Sequence, residues 1–205
     1  MRITAKAKDA TRNRILKTAA NLFIGEGWHN TTTRGIAAGA GIANGTLFNY
    51  FPTKEAIAAA LFSGAMQSAG DEFSGTNGDA SLEAALFTLI WTDLLNLRGY
   101  RKFLAPAIET IFSPLARSSP GSPGDALRIG HLERVDAILA AHGIPAPRPA
   151  ISVQLYWTLY LGVLSFWAAD ESPGQEDTLA LLDQSLRLYA ATLNPQYERK
   201  PDERK

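Results

Sequence analysis

Residues 32–50 contain two short helical patterns separated by a glycine turn, and this segment constrains the fold more than any other part of the chain. Thr32 is a good N-cap for the first helix, and Gly41 supplies the turn. A second short helix runs from about Asn44 to Tyr50. This arrangement is typical of a helix-turn-helix, whose second helix enters the major groove of DNA. A plain helical hairpin gives the same pattern.

The rest of the chain also has helical periodicity, and no run of alternating β-branched residues stands out. Further helices are predicted at about 9–25, 54–73, 80–98, 101–116, 125–142, 149–169 and 176–193. We therefore predict an all-α fold of about nine helices. The domains expected are a three-helix, helix-turn-helix DNA-binding domain over 1–53, a C-terminal helical bundle over 54–196 and a charged tail over 197–205.

Charge is distributed unevenly along a chain whose formal net charge is zero. Residues 1–54 carry eight lysines and arginines against two acidic residues, a net charge of +6, and the remaining residues carry −6. A basic segment beside an acidic body is the electrostatic pattern of a protein that binds phosphate through one part. A merely solvated basic face is the alternative reading.

Catalytic and metal-binding patterns are missing from the sequence. It has no cysteine, which excludes disulfides, thiolate metal sites and cysteine nucleophiles. No two of its histidines, His29, His131 and His142, stand at a zinc-ligand spacing. Carboxylates such as Asp93 and Glu109 are expected to be solvated or structural. We predict a non-enzyme without cofactor or metal, located in the cytoplasm because residues 1–10 lack the apolar run of an export signal.

A series of short motifs follows the same order and spacing as in a known family. They are Thr11-Arg-Asn-Arg-Ile-Leu16, Ala19-Ala-Asn-Leu-Phe23, Glu26-Gly27, Thr31-Thr32, Ile36-Ala37, Ala40-Gly41-Ile42, Gly45-Thr46-Leu47-Phe48, Tyr50-Phe51 and Lys54-Glu55. Residues 11–61 thereby resemble the N-terminal domain of the TetR family of bacterial transcriptional regulators. The remainder resembles the family only as a helical body of suitable length.

The resemblance implies a set of DNA contacts. Arg34 matches a position that reaches a base edge, where a guanidinium suits guanine, and Asn44 matches one where an amide suits adenine. Phosphate contacts are implied for Thr33, Thr46, Tyr50 and Lys54, and Gly45, Phe48 and Asn49 complete the implied DNA-binding set. Helix capping is the alternative role for Thr33 and Thr46. Ala43 stands where the family often has a capping serine, so the recognition helix should lack a side-chain cap.

Two apolar helices are predicted near the C-terminus, and they are candidates for a dimer interface. Residues 151–169 contain no charge, which fits either a membrane span or a helix buried on nearly all sides. The resemblance implies a homodimer in which two helices from each copy form a four-helix interface. The interface residues expected are Trp157, Leu161, Leu164, Leu182, Leu186 and Tyr189. An intramolecular core without a dimer is the alternative.

Aromatic residues in the body form a candidate ligand site. These are Phe62, Phe87, Trp91, Phe103, Phe112 and Tyr156, each of which has ordinary core packing as its alternative role. The function expected is a repressor that a small apolar or aromatic inducer releases from a palindromic operator. The alternative is a protein of the same fold that binds a lipid or other hydrophobic ligand without binding an operator.

Overall fold

The structure, a computed structural model, describes residues 4–73, 80–112, 122–144 and 146–193. Within these ranges it contains nine α-helices and no strand, which confirms the all-α prediction. The helices are α1 (Ala5–Gly25), α2 (Thr33–Gly39), α3 (Asn44–Phe48), α4 (Lys54–Phe73), α5 (Leu82–Leu97), α6 (Arg101–Ile111), α7 (Pro123–Ala141), α8 (Ala150–Ala169) and α9 (Glu176–Thr192). The predicted tail, 197–205, lies outside the described residues.

The helix boundaries lie close to those expected, with two differences. Helix α1 begins at Ala5, four residues earlier than expected, because the Thr4 hydroxyl accepts a hydrogen bond from the Ala7 amide at 3.3 Å. Helix α6 ends at Ile111, whereas the expected end at 116 falls in a segment outside the described residues.

The chain forms two compact units. The first comprises residues 1–70 and 96–129, and the second comprises 71–95 and 130–205. The domain boundary predicted between residues 53 and 54 stays a prediction.

The core of the first unit is built on one face of α1. Ile15, Ala19 and Phe23 are fully buried there, at the four-residue spacing of a helix face. The Phe23 ring lies 5.0 Å from that of Trp28 and 4.9 Å from that of Phe103, between ring centroids. Burial of these aromatic rings fixes α1 and gives α2 and α3 a rigid support.

Helix α8 of the second unit has one buried and one exposed side. The buried side carries Tyr156, Trp157, Tyr160, Val163, Leu164 and Trp167. The exposed side carries Ile151, Leu155 and Phe166, of which the last two are 44% and 43% exposed. The helix is long and apolar enough to cross a membrane by length and composition, yet a third of its most apolar window is buried inside the protein.

Most of the residues predicted for the dimer interface are buried within the single chain. Leu182 and Leu186 of α9 are fully buried in the single chain, and Tyr189 packs on Tyr156 of α8 with ring centroids 5.2 Å apart. Trp157 and Leu164 are also buried, and Leu161 is half-buried. These five buried side chains pack inside a single copy, in which α9 contacts α8. Contact of the predicted residues with a second copy stays a prediction.

Candidate nucleic-acid interface

The turn between α2 and α3 has a well-defined backbone geometry. Gly41 has a φ of +64°, in the left-handed region that glycine adopts without strain. Its amide donates to the Ala38 carbonyl, and the Ile42 amide donates to the Ala37 carbonyl, both at 3.0 Å. This pair of bonds is a Schellman motif, which ends α2 and sets the direction in which the chain enters α3.

Close packing holds α2 on α1. A side-chain carbon at Gly39 would lie 2.8 Å from the Thr18 methyl group, so a larger residue would force one of the two helices or the Thr18 side chain to shift. Ile36 and Ala37 of α2 are buried beside this contact. The helix-turn-helix prediction is therefore confirmed as local structure: two short helices, a glycine turn and a shared apolar core.

Helix α3 presents its implied DNA contacts on its exposed side. Leu47 is fully buried and anchors the helix, whereas Asn44, Gly45 and Asn49 are exposed. The Phe48 ring is 46% exposed, a position from which an apolar ring can contact the methyl group of thymine. Thr46 and Tyr50 are half-buried at the edges of this surface.

The N-caps of α2 and α3 show which threonines have a capping role and which remain candidates for DNA contact. The Thr32 hydroxyl accepts the Gly35 amide at 3.0 Å and caps α2, so Thr33 is not the cap. Ala43 precedes α3 without a side-chain cap, as expected, so Thr46 does not cap that helix. Arg34 is exposed in the first turn of α2.

Lys54 has a structural role that the sequence did not reveal. Its ammonium donates to the carbonyls of Trp28 at 2.7 Å and Thr31 at 3.2 Å, and lies 4.4 Å from the centre of the Trp28 ring. Partial burial lowers the pKa of Lys54, an effect that neighbouring Glu55 opposes. Because an ammonium has three N–H donors, a phosphate contact is compatible with both carbonyl bonds. That contact stays a prediction.

The contacts of Lys54 predict a loss of stability when they are removed. In Lys54→Met the carbonyls of Trp28 and Thr31 lose a charged donor, so we expect the free energy of unfolding to fall by about 1 to 3 kcal/mol. Urea unfolding measures this change, with Lys17→Met, at an exposed position on α1, as the matched control. Equal stability of the two variants would contradict a structural role for Lys54.

Three of the aromatic residues predicted to line a ligand site belong to the first unit. Phe62 and Phe103 are buried and packed together, with ring centroids 5.8 Å apart. A side-chain carbon at Gly124 would lie 2.6 Å from the Phe112 ring, so α7 and this ring are in close contact. These three rings pack against neighbouring groups, and a ligand-binding role for them stays a prediction.

The other three aromatic residues belong to the second unit. Phe87 and Trp91 are half-buried on α5, and Tyr156 is fully buried on α8. Phe87 borders an open groove of about 630 Å³, whose lining includes Glu83, Thr88, Asp183 and Arg187. That lining contains none of the other five predicted residues, and it is more polar than an apolar ligand requires. The ligand site stays a prediction.

A buried polar cluster in the second unit was missed by sequence reasoning. The Asp93 carboxylate is fully buried and accepts four hydrogen bonds. Two come from the Arg134 guanidinium at 2.8 and 3.1 Å, one from His131 Nδ1 at 3.0 Å and one from the Tyr160 hydroxyl at 3.1 Å. The signal available in the sequence was a carboxylate in the middle of the apolar run 86–97, which requires a buried partner.

Protonation within this cluster follows from its geometry. Burial lowers the pKa of His131, although its hydrogen bond to Asp93 opposes that effect. A neutral imidazole that donates from Nδ1 to Asp93 accepts at Nε2, where the Tyr156 hydroxyl lies 3.0 Å away and donates. Burial also raises the pKa of Tyr156 and Tyr160, so both hydroxyls remain protonated donors.

Comparisons with known proteins agree with this geometry. Residues 15–61 match the model of the family described as bacterial regulatory proteins, tetR family. The HTH-type transcriptional repressor KstR2 of Rhodococcus jostii (strain RHA1) is 34% identical over 86 residues, which cover 40% of this chain and 42% of that protein. The match therefore spans less than half the length of this relative.

Solved structures extend the similarity to most of the chain. A TetR transcriptional regulator from Rhodococcus sp. RHA1 has a TM-score of 0.71 at 19% identity, covering 91% of this chain and 100% of its own. Thermus thermophilus FadR, a TetR-family repressor solved in complex with lauroyl-CoA, has a TM-score of 0.62 at 23% identity, covering 93% and 97%. Because both sequence identities are below 25%, the similarity shows a shared fold and nothing about function.

Proposed function

We propose that this chain, which carries the N-terminal DNA-binding domain of the TetR family of bacterial regulatory proteins, is a homodimeric transcriptional regulator that binds operator DNA. The observation that carries the proposal is the exposed side of α3, where Asn44, Phe48 and Asn49 face outward from a helix anchored by buried Leu47. A repressor is favoured because the curated relative over the matched residues is a repressor.

Exposure of Arg34 supports a part in reading base sequence. Arg34→Ala should relax the preference at one base pair per half-site, at a cost of about 1 to 3 kcal/mol in operator affinity. Binding of labelled duplexes carrying each base at every position measures this, with Arg14→Ala, which removes an exposed arginine from α1, as the control. If the Arg34→Ala protein kept the wild-type base preference at every position of the duplex, this arginine would read no base.

The uncharged, exposed side of α8 is the proposed dimer surface. Leu155, Gly162 and Phe166 recur there at intervals of seven and four residues, which places them on one side of the helix. A side-chain carbon at Gly162 would meet no atom within 4 Å, so a second helix has room for close approach. Leu188 of α9 is exposed as well. A second copy covers such a surface by two-fold symmetry, without a membrane.

The proposed inducer is a small apolar or aromatic molecule that binds the body and weakens operator binding. A 100-fold weakening requires about 2.7 kcal/mol of coupling, and the operator must weaken ligand binding by the same factor. Lauroyl-CoA is a suitable first probe, because a protein of this fold has been solved with it. Titration of tryptophan fluorescence with and without operator duplex tests the coupling, and equal affinities in both titrations would contradict induced release by this probe.

We assign no reaction and no cofactor to the chain, and we place the protein in the cytoplasm, where operator DNA lies. A regulator that acts by binding needs a surface and two conformations rather than a catalytic group. The described residues hold no group of three His, Asp or Glu side chains suited to a metal ion.

A further inference from the structure

The first two turns of α1 extend past the packed core. Every described residue from Thr4 to Ala10 is exposed, and the first buried residue of the helix is Ile15. These turns are nevertheless helical, because Thr4 caps them and the helix continues without a break to Gly25. The helical conformation of residues 4–10 therefore does not come from burial of apolar side chains.

The side of α1 that packs in the core continues as a basic side beyond it. Lys8, Arg12, Ile15 and Ala19 follow at intervals of four, three and four residues, which places them in one row on the helix surface. Ile15 and Ala19 are fully buried, whereas Lys8 and Arg12 are exposed. The basic side chains therefore lie on the side of α1 that faces the rest of the first unit.

Arg12 connects this row to the segment that follows α3. Its guanidinium carbon lies 5.3 Å from the centre of the Phe51 ring, in a cation–π contact. Phe51 is buried and directly follows Tyr50, one of the residues at the edge of the exposed α3 surface. Arg12 is therefore held beside the candidate nucleic-acid interface rather than free in solvent.

The placement of these charges is unfavourable for the helix alone. The first turn of α1 carries no acidic residue, and Lys6 and Lys8 stand near the positive end of its macrodipole. An anion bound beside these turns would offset that repulsion. The regular spacing of phosphates along a duplex supplies anions next to any helix lying in its major groove.

From these observations we infer that Lys8 and Arg12 form a phosphate-binding extension of the DNA interface, outside the helix-turn-helix itself. The inference rests on the proposed function, since it requires that α3 meets double-stranded DNA. The two side chains would bind the backbone flanking the groove that α3 enters, adding affinity without reading sequence.

Matched double variants on opposite sides of α1 test this inference. Lys8→Gln/Arg12→Gln removes the proposed contacts. The control, Arg14→Gln/Lys17→Gln, removes one lysine and one arginine from other exposed positions of α1. Lys17 lies on the opposite side of the helix from Lys8. The probe is a fluorescein-labelled duplex of random sequence, and its affinity is measured by anisotropy over a range of salt concentrations. Circular dichroism checks that both variants keep the wild-type helix content.

We expect the slope of log affinity against log salt to fall in magnitude by about 1.8 per protomer in the first variant, from two lost phosphate contacts. Lys8→Gln alone, which keeps Arg12 on Phe51, should account for about half of this. An equal change in both double variants would overturn the inference, because only total charge would then matter. A wild-type protein that does not bind the duplex would contradict the proposed function and the inference together.

Discussion

Replacing Asp93 by alanine is expected to lower the free energy of unfolding by about 3 to 5 kcal/mol, the largest effect of any single substitution considered for this chain. The carboxylate accepts two bonds from Arg134, one from His131 and one from Tyr160. Its removal takes one anionic partner from a guanidinium that is 24% exposed, and it takes the acceptor from two buried donors, His131 and Tyr160. Urea unfolding followed by circular dichroism measures the change.

Asp183→Ala is the matched control for this prediction. Asp183 also pairs with an arginine, Arg187 at 3.0 Å, but the two side chains are 50% and 67% exposed. An exposed pair of this kind contributes about 0.3 to 0.5 kcal/mol. If both alanine variants were destabilised equally, the buried cluster would not be a main source of stability in the second unit.

The second large effect is expected at the exposed side of α8. Leu155→Glu/Phe166→Glu places two carboxylates in each copy of the proposed two-fold interface, where they would lose water and meet like charges. We expect the dimer dissociation constant to rise at least about 100-fold, which corresponds to about 2.7 kcal/mol. Sedimentation should then show a folded monomer, because both side chains are exposed in the single chain.

Ile24→Glu provides the control for the dimer prediction. Ile24 is 38% exposed on α1, so this variant adds a charge at a similar level of exposure in the first unit. It should remain dimeric at micromolar concentration. A dimeric Leu155→Glu/Phe166→Glu protein would place the interface elsewhere.

Sequence periodicity predicted the helices well because each carries an apolar row and a recognisable end. Thr32 and Gly41 determine the bounds of α2 through bonds within a few residues, so local sequence suffices. For α8 the absence of charge over 151–169 predicted burial but not which side of the helix the chain covers itself. That choice depends on α9, whose Leu182, Leu186 and Tyr189 pack inside the same copy.

The polar contacts were the least predictable part, because their partners are distant along the chain. Asp93 is 41 residues from Arg134 and 67 from Tyr160. Lys54 is 26 residues from Trp28, and it bonds to a backbone carbonyl, which no side-chain motif reveals. The candidate contact residues of α3, in contrast, were implied by the family resemblance, and Asn44, Gly45 and Phe48 are exposed around buried Leu47.

Selection of bound duplexes from a random pool by the purified protein, followed by sequencing, tests the central claim most directly. A dimer with two α3 helices predicts enriched sites made of two inverted half-sites, with centres one helical turn of about 10 base pairs, or a multiple of it, apart. Binding without enrichment, or enriched sites without two-fold symmetry, would contradict the account.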